Sequence, residues 1–229
     1  MPSNGQKITV LERIKRDFET INLGIFFDEA TRNYPSRIAI IDLTEGDSLP
    51  QRRAQPKERL LATFGTTQLV RPDGSLLLKE NQFIDLGADL QDWTLRGCSP
   101  KAQIVRLSGT WGEDMGGCGI FRVENHADTT NNGDPADYPK TTRIDPHYHD
   151  CDEYWVLLEG SASVVVGGRH MSMTAGDCVS IGMGHHHDMP TVQAPVKAVF
   201  FETTLEGQKR VGHLWNHTHG PAVPQPERV

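Results

Sequence analysis

The feature that most restricts the fold of this chain is a series of short runs rich in β-branched and aromatic residues, cut repeatedly by glycine from about Gln68 onward. Runs at residues 68–71 and 76–79 flank Pro72-Asp73-Gly74-Ser75, a turn sequence that predicts a hairpin. Further strands are expected at 102–107, 119–124, 153–158, 162–166, 178–181 and 196–203. Gly160, Gly167-Gly168 and Gly176-Asp177 punctuate them. Many short strands joined by glycine turns fit an antiparallel sandwich or barrel, so residues 61–215 are expected to be all-β.

The first sixty residues carry a different signal. Ile8, Leu11, Ile14, Phe18 and Ile21 recur at helical spacing, and a second helical stretch over 23–34 ends before Pro35. Residues 1–60 are therefore expected to form an N-terminal helical extension that packs on the barrel or on a second subunit. The stretch 124–140 is polar and rich in Asn, Asp and Pro, which predicts a surface loop. The tail over 216–229, with three prolines, is expected to have no fixed fold.

The chemistry concentrates in His147-Tyr148-His149-Asp150-Cys151-Asp152-Glu153. Side chains alternate along a strand, so His147 and His149 point the same way if that strand is regular. A bend through Asp150-Cys151-Asp152 returns Glu153 to the same space, and His185-His186-His187 offers a third imidazole. Three neutral nitrogens and a carboxylate oxygen suit one divalent transition metal, with Fe, Mn, Ni, Co and Zn all open.

These residues carry a resemblance. His147-x-His149-x3-Glu153-x6-Gly160 resembles the first conserved motif of the cupin superfamily, and Gly176-x5-Gly182-x-Gly184-x2-His187 resembles the second. The likeness covers roughly residues 100 to 205. It implies a double-stranded β-helix, or jelly-roll barrel, with one metal held by His147, His149, Glu153 and His187. Thr141, Gly182 and Thr191 stand where the family pattern has glycine, proline and asparagine; none of them is a ligand. Because Gly184 permits several backbone paths, His185 is an alternative to His187.

A formal charge of −7 and a pI near 5.8 argue against nucleic acid or an anionic membrane surface as partner. No apolar run approaches membrane-spanning length, and Met1 to Val10 lacks the hydrophobic core expected of a signal peptide. Cys98, Cys118, Cys151 and Cys178 lack paired spacing and read as free thiols, which suits the cytoplasm. A homodimer is the family expectation.

Alternation places Trp155 and Leu157 on the face of Glu153, and Arg143 and Asp145 on that of His147. Arg143 is then a candidate clamp for a carboxylate or phosphate of a small-molecule substrate, or else a partner of Asp145, Asp150 or Asp152. His213, His217 and His219 have no nearby carboxylate and are not expected to bind metal. Three functional classes follow. The leading one is an Fe(II)-type dioxygenase acting on a small oxygenated metabolite. The second is a metal-dependent isomerase, lyase or decarboxylase of a sugar or sugar acid, with Glu153 and Arg143 as catalytic candidates. The third is a non-catalytic metal- or ligand-binding module.

Overall fold

The computed structural model describes residues 7–12, 35–112, 117–128, 133–147, 151–182, 184–203, 215–216 and 223–224. The chain divides into two compact units. One contains residues Ile25–Trp111 and the first fourteen residues, and the other Gly112–Val229 and residues 15–24. The division at Trp111 differs from the expected one near residue 60: residues 61–111 belong to unit 1, apart from the barrel that carries the histidine motif.

Unit 1 consists of β1 (Lys7–Glu12), β2 (Pro35–Leu43), β3 (Ser48–Arg52), β4 (Lys57–Phe64), β5 (Thr66–Arg71), β6 (Gly74–Lys79), β7 (Phe83–Asp85), β8 (Asp92–Gly97) and β9 (Ala102–Gly109). They form two antiparallel sheets, ordered β1-β2-β9-β4-β7 and β3-β8-β5-β6. Ala39, Ile41, Leu60, Ala62 and Ile104 from the first sheet join Leu69, Leu78, Trp93 and Leu95 from the second in one core cluster. The other face of β2, β4 and β9 is buried too, at Ile38, Ile40, Leu61, Val105 and Leu107. Strands buried on both faces lose their apolar–polar alternation. That is why the runs at 38–41 and 60–62 carry no period-two pattern.

The helical extension is not found. Residues 7–12 are a strand that pairs antiparallel with β2, Ile8 opposite Ile41. The spacing of Ile8 and Leu11 suits a helix, but pairing with the edge of β2 overrides so short a local pattern. Among the described residues there is no helix, and so none long and apolar enough to cross a membrane. Most of the two expected helices, at 13–34, lies outside the described residues.

Unit 2 consists of β10 (Cys118–Val123), β11 (Asp152–Val166), β12 (Arg169–Thr174), β13 (Cys178–Ile181) and β14 (His187–Thr203), with the short pair β15 (Trp215–Asn216) and β16 (Val223–Pro224). The last two pair with each other within and beside the tail expected to lack structure. The two runs expected at 153–158 and 162–166 are one long strand. It shifts register against β14 between Leu157 and Ala162, around Gly160. Before the bend β11 pairs with β13 and the end of β14; after it, with β12 and the start of β14. The result is an all-β jelly roll in which β11 and β14 run through both halves.

Unit 1 repeats this pairing. β4 and β5 stand for the two halves of β11, β6 for β12, β7 for β13, β8 and β9 for the two halves of β14, and β2 for β10. The hinge between β4 and β5 is Gly65, with φ +57°, matching Gly160 with φ +85°. A Cβ at either would lie 2.1 Å from a carbonyl oxygen, that of Lys101 or of Pro195. Glycine is required at both by the close approach as well as by φ.

Candidate metal centre

Glu153 enters on β11 beside β13, and His187 opens β14, where it pairs with Val166 at the far end of β11. The bend at Gly160 thus brings the two ends of one strand's partners to a common point. His147 reaches it from an isolated bridge to His187. One ligand atom each from His147, Glu153 and His187 lie within 4.8 Å of one another, His187 and Glu153 being buried. His149, expected as the fourth ligand, lies outside the described residues, as do His213, His217 and His219.

The hydrogen bonds around these three side chains fit a cation. His147 Nδ1 lies 2.7 Å from the carbonyl of Asp145 and His187 Nδ1 lies 2.8 Å from that of His185. A ring whose Nδ1–H donates to a carbonyl carries its lone pair on Nε2 when neutral. His187 Nε2 faces Glu153 Oε2 at 3.1 Å. Two imidazoles and a carboxylate oxygen converging in this way are a donor set that would suit a divalent metal.

Trp155 Nε1 donates to Glu153 Oε1 at 2.7 Å and so fixes the carboxylate. Its ring also stands 5.4 Å from that of His187 and 5.5 Å from that of Phe121. Trp155 and Leu157 are buried, Trp155 against the ligands as alternation requires. The site therefore has an aromatic wall.

Arg143 falls elsewhere. It is exposed and lines a cavity of about 490 Å³ with Arg122, His126, Glu159 and Lys197, and no ligand side chain lines that cavity. Residues 143–146 are not strand, so the alternation that put Arg143 beside His147 does not hold there. His185 contributes its backbone carbonyl to His187. His186 is half-buried, with Nε2 3.7 Å from Asp134 Oδ2. Burial pushes its imidazole below the usual range, against the opposing pull of Asp134.

Two residues had no reading from the sequence. Glu202 is the register partner of Glu153, so the two buried carboxylates share a face. The backbone N–H of Gly117 donates to Glu202 Oε2 at 2.6 Å. The signal was an acidic residue directly after the apolar run Val199-Phe200-Phe201. The other is Asp188, buried next to His187. Both its carboxylate oxygens accept from Lys140 Nζ at 2.5 Å, and Lys140 also donates to the carbonyl of Ile144. The described end of the 124–140 stretch is thereby tied to the strand that carries His187.

The comparisons with known proteins agree with this architecture. Residues 136–202 match the cupin domain. The Sinorhizobium fredii protein y4oW is 49% identical over 189 residues, which is 82% of this chain and 87% of that protein. Among solved structures, vicilin from Corylus avellana is similar with a TM-score of 0.56 and 12% identity, over 93% of this chain and 85% of that one. Oxalate decarboxylase from Lactobacillus farciminis is similar with a TM-score of 0.50 and 8% identity, over 74% of this chain and 77% of that one. At such identities the likeness shows the fold alone. Together with the jelly roll and the convergent ligands, these findings place the chain in the cupin superfamily.

Proposed function

We propose that the chain is a metal-dependent enzyme acting on a small oxygenated metabolite, with Fe(II)-type dioxygenase chemistry as the leading reading. The observation that carries it is the convergence of His147, Glu153 and His187 within 4.8 Å in a buried, aromatic-walled interior. A metal held by these side chains, with His149 as fourth ligand, keeps coordination positions for substrate and a co-reactant, unlike the closed set of a structural ion. The protein's own part is to fix the imidazoles through backbone carbonyls, hold Glu153 through Trp155 and exclude bulk water. Since Trp155 holds one oxygen of Glu153 and the other faces the imidazole of His187, Glu153 serves better as a ligand than as a mobile base.

Glu202 favours a second reading. A buried carboxylate on the same face as Glu153 suits the proton transfer of an isomerase, lyase or decarboxylase. Elemental analysis of untagged protein, paired with oxygen uptake over a panel of small acids and diketones, separates the two. Near-stoichiometric iron with substrate-dependent uptake supports the dioxygenase. Full turnover without oxygen sinks it, and loss of that turnover in Glu202→Gln then supports the second reading.

A further inference from the structure

The repeat between the two units allows the metal centre to be located in unit 1, position by position. Glu58 stands seven residues before the hinge Gly65, as Glu153 stands seven before Gly160. Val70 pairs with Thr94 in unit 1 as Val165 pairs with Asp188 in unit 2, so Trp93 occupies the place of His187. Gln51 is the strand partner of Trp93, as His147 is the bridge partner of His187. The three ligand positions therefore hold glutamine, glutamate and tryptophan.

One cation touches all three. Arg106 donates through Nε and Nη2 to the two oxygens of Glu58, at 2.8 and 2.7 Å, and through Nη1 to Gln51 Oε1 at 2.8 Å. Its guanidinium carbon lies 4.9 Å over the Trp93 ring. Arg106 sits on β9 opposite Ala39 and Leu60, both members of the core cluster, so it points inward. The Glu58 side chain is fully buried, and only 10% of the Arg106 side chain is exposed.

We infer that unit 1 carries the same site with the ion replaced by a side chain: the guanidinium of Arg106 is its resident cation, and the cavity beside it is a metal-independent pocket for a small carboxylate. That cavity measures about 240 Å³. Ala39, Ile41 and Pro50 give it an apolar wall, and Gln51, Arg52 and Arg106 a polar one. Four of the five N–H groups of Arg106 go to Glu58, Gln51 and the carbonyl of Arg52, which leaves one on Nη1 for a ligand. Glu58 pairs with Arg106, and the largely exposed guanidinium of Arg52, 4.0 Å from Asp92 Oδ1, adds a second set of N–H donors to the polar wall. A carboxylate matches the N–H donors of this wall in planar geometry. Gln51 and Trp93 offer no metal-binding nitrogen lone pair, and Glu58 is committed to arginine, so a divalent ion has no donor set here.

The test uses the full chain, freed of metal by chelation, and sodium acetate as probe. The Trp93 indole N–H resonance, identified by its loss in Trp93→Phe, reports on the pocket. Acetate is expected to shift that resonance saturably. The pair variant Glu58→Gln/Arg106→Gln, which removes both charges so that neither is left buried alone, is expected to bind acetate at least about tenfold more weakly. No saturable shift, or unchanged affinity in the pair variant, overturns the proposal. A metal count keeps it falsifiable if the pair variant does not fold. In His147→Ala/Glu153→Ala/His187→Ala, no tightly held metal is expected, and an equivalent retained there overturns the claim that unit 1 takes no ion.

Discussion

Glu58 and Glu153 occupy the same place in two copies of one strand pattern, yet they face opposite surroundings. Around Glu58 the chain supplies its own cation, and the site closes on itself through Arg106, Gln51 and Trp93. Around Glu153 it supplies two imidazoles and no cationic side chain among the three, a donor set suited to a cation from outside. The backbone is the same device in both: a strand bent at a glycine that turns a carboxylate into the interior. What the difference teaches is that the fold sets where a charge is buried, while a few side chains decide what neutralises it.

The strongest way to break this comparison is to remove the carboxylate from each copy. Glu153→Ala should lower metal affinity by more than about 100-fold, since changing mere supporting groups around a metal already costs about 10–100-fold. Glu58→Ala should leave metal affinity unaltered and instead destabilise the fold by about 3–5 kcal/mol, because it strands the buried guanidinium of Arg106. Competitive chelator titration and urea unfolding read the two effects. If Glu58→Ala cost metal and Glu153→Ala only stability, the assignment of the two sites would be reversed.

The sequence made unit 2 far easier to read than unit 1, and the reason lies in what each copy kept. His147, Glu153 and His187 advertise a metal because those residue types at that spacing have few other uses. Gln51, Glu58 and Trp93 have many uses, and nothing local says that Arg106 will meet them. The hinge was visible at Gly160 but not at Gly65, and Asn81 hides a further correspondence: it has φ +66° where its counterpart Gly176 has +97°. Asparagine tolerates that conformation, so the turn survived the loss of the glycine that marked it. The inward placing of Trp155 followed from strand parity. That of Arg143 did not, because parity needs an unbroken strand and residues 143–146 are not strand. The N-terminal strand was read as helix because Ile8 and Leu11 are three residues apart, a spacing that fits a helix and not the period of two of a strand, and only pairing with β2 decides.

A smaller effect should be the same in both copies. Gly65→Ala and Gly160→Ala each force a side chain into a positive φ and against a carbonyl oxygen 2.1 Å away. Each should cost about 2–4 kcal/mol, from strain in the backbone and displacement of the neighbouring strand. Thermal unfolding of the two variants checks this. A loss in one and none in the other would mean that the two bends are not equivalent, and the positional match of Glu58 to Glu153 would fall with them.

The smallest effect tests how each tryptophan serves its cation. Trp155 acts through Glu153: its N–H fixes one oxygen at 2.7 Å and leaves the other to face His187. Trp155→Phe keeps most of the apolar bulk and removes that hydrogen bond, so metal affinity should fall about tenfold with little change in stability. Trp93 acts on Arg106 directly through its ring face, and Trp93→Phe should leave metal affinity unchanged while costing about 1 kcal/mol of unfolding free energy. Both variants keep an aromatic ring in place, so a difference between them reflects the role of each tryptophan rather than loss of volume. Unchanged metal affinity in Trp155→Phe would show that the backbone of β11 alone orients Glu153, and that the aromatic wall shapes the cavity without tuning the ligand.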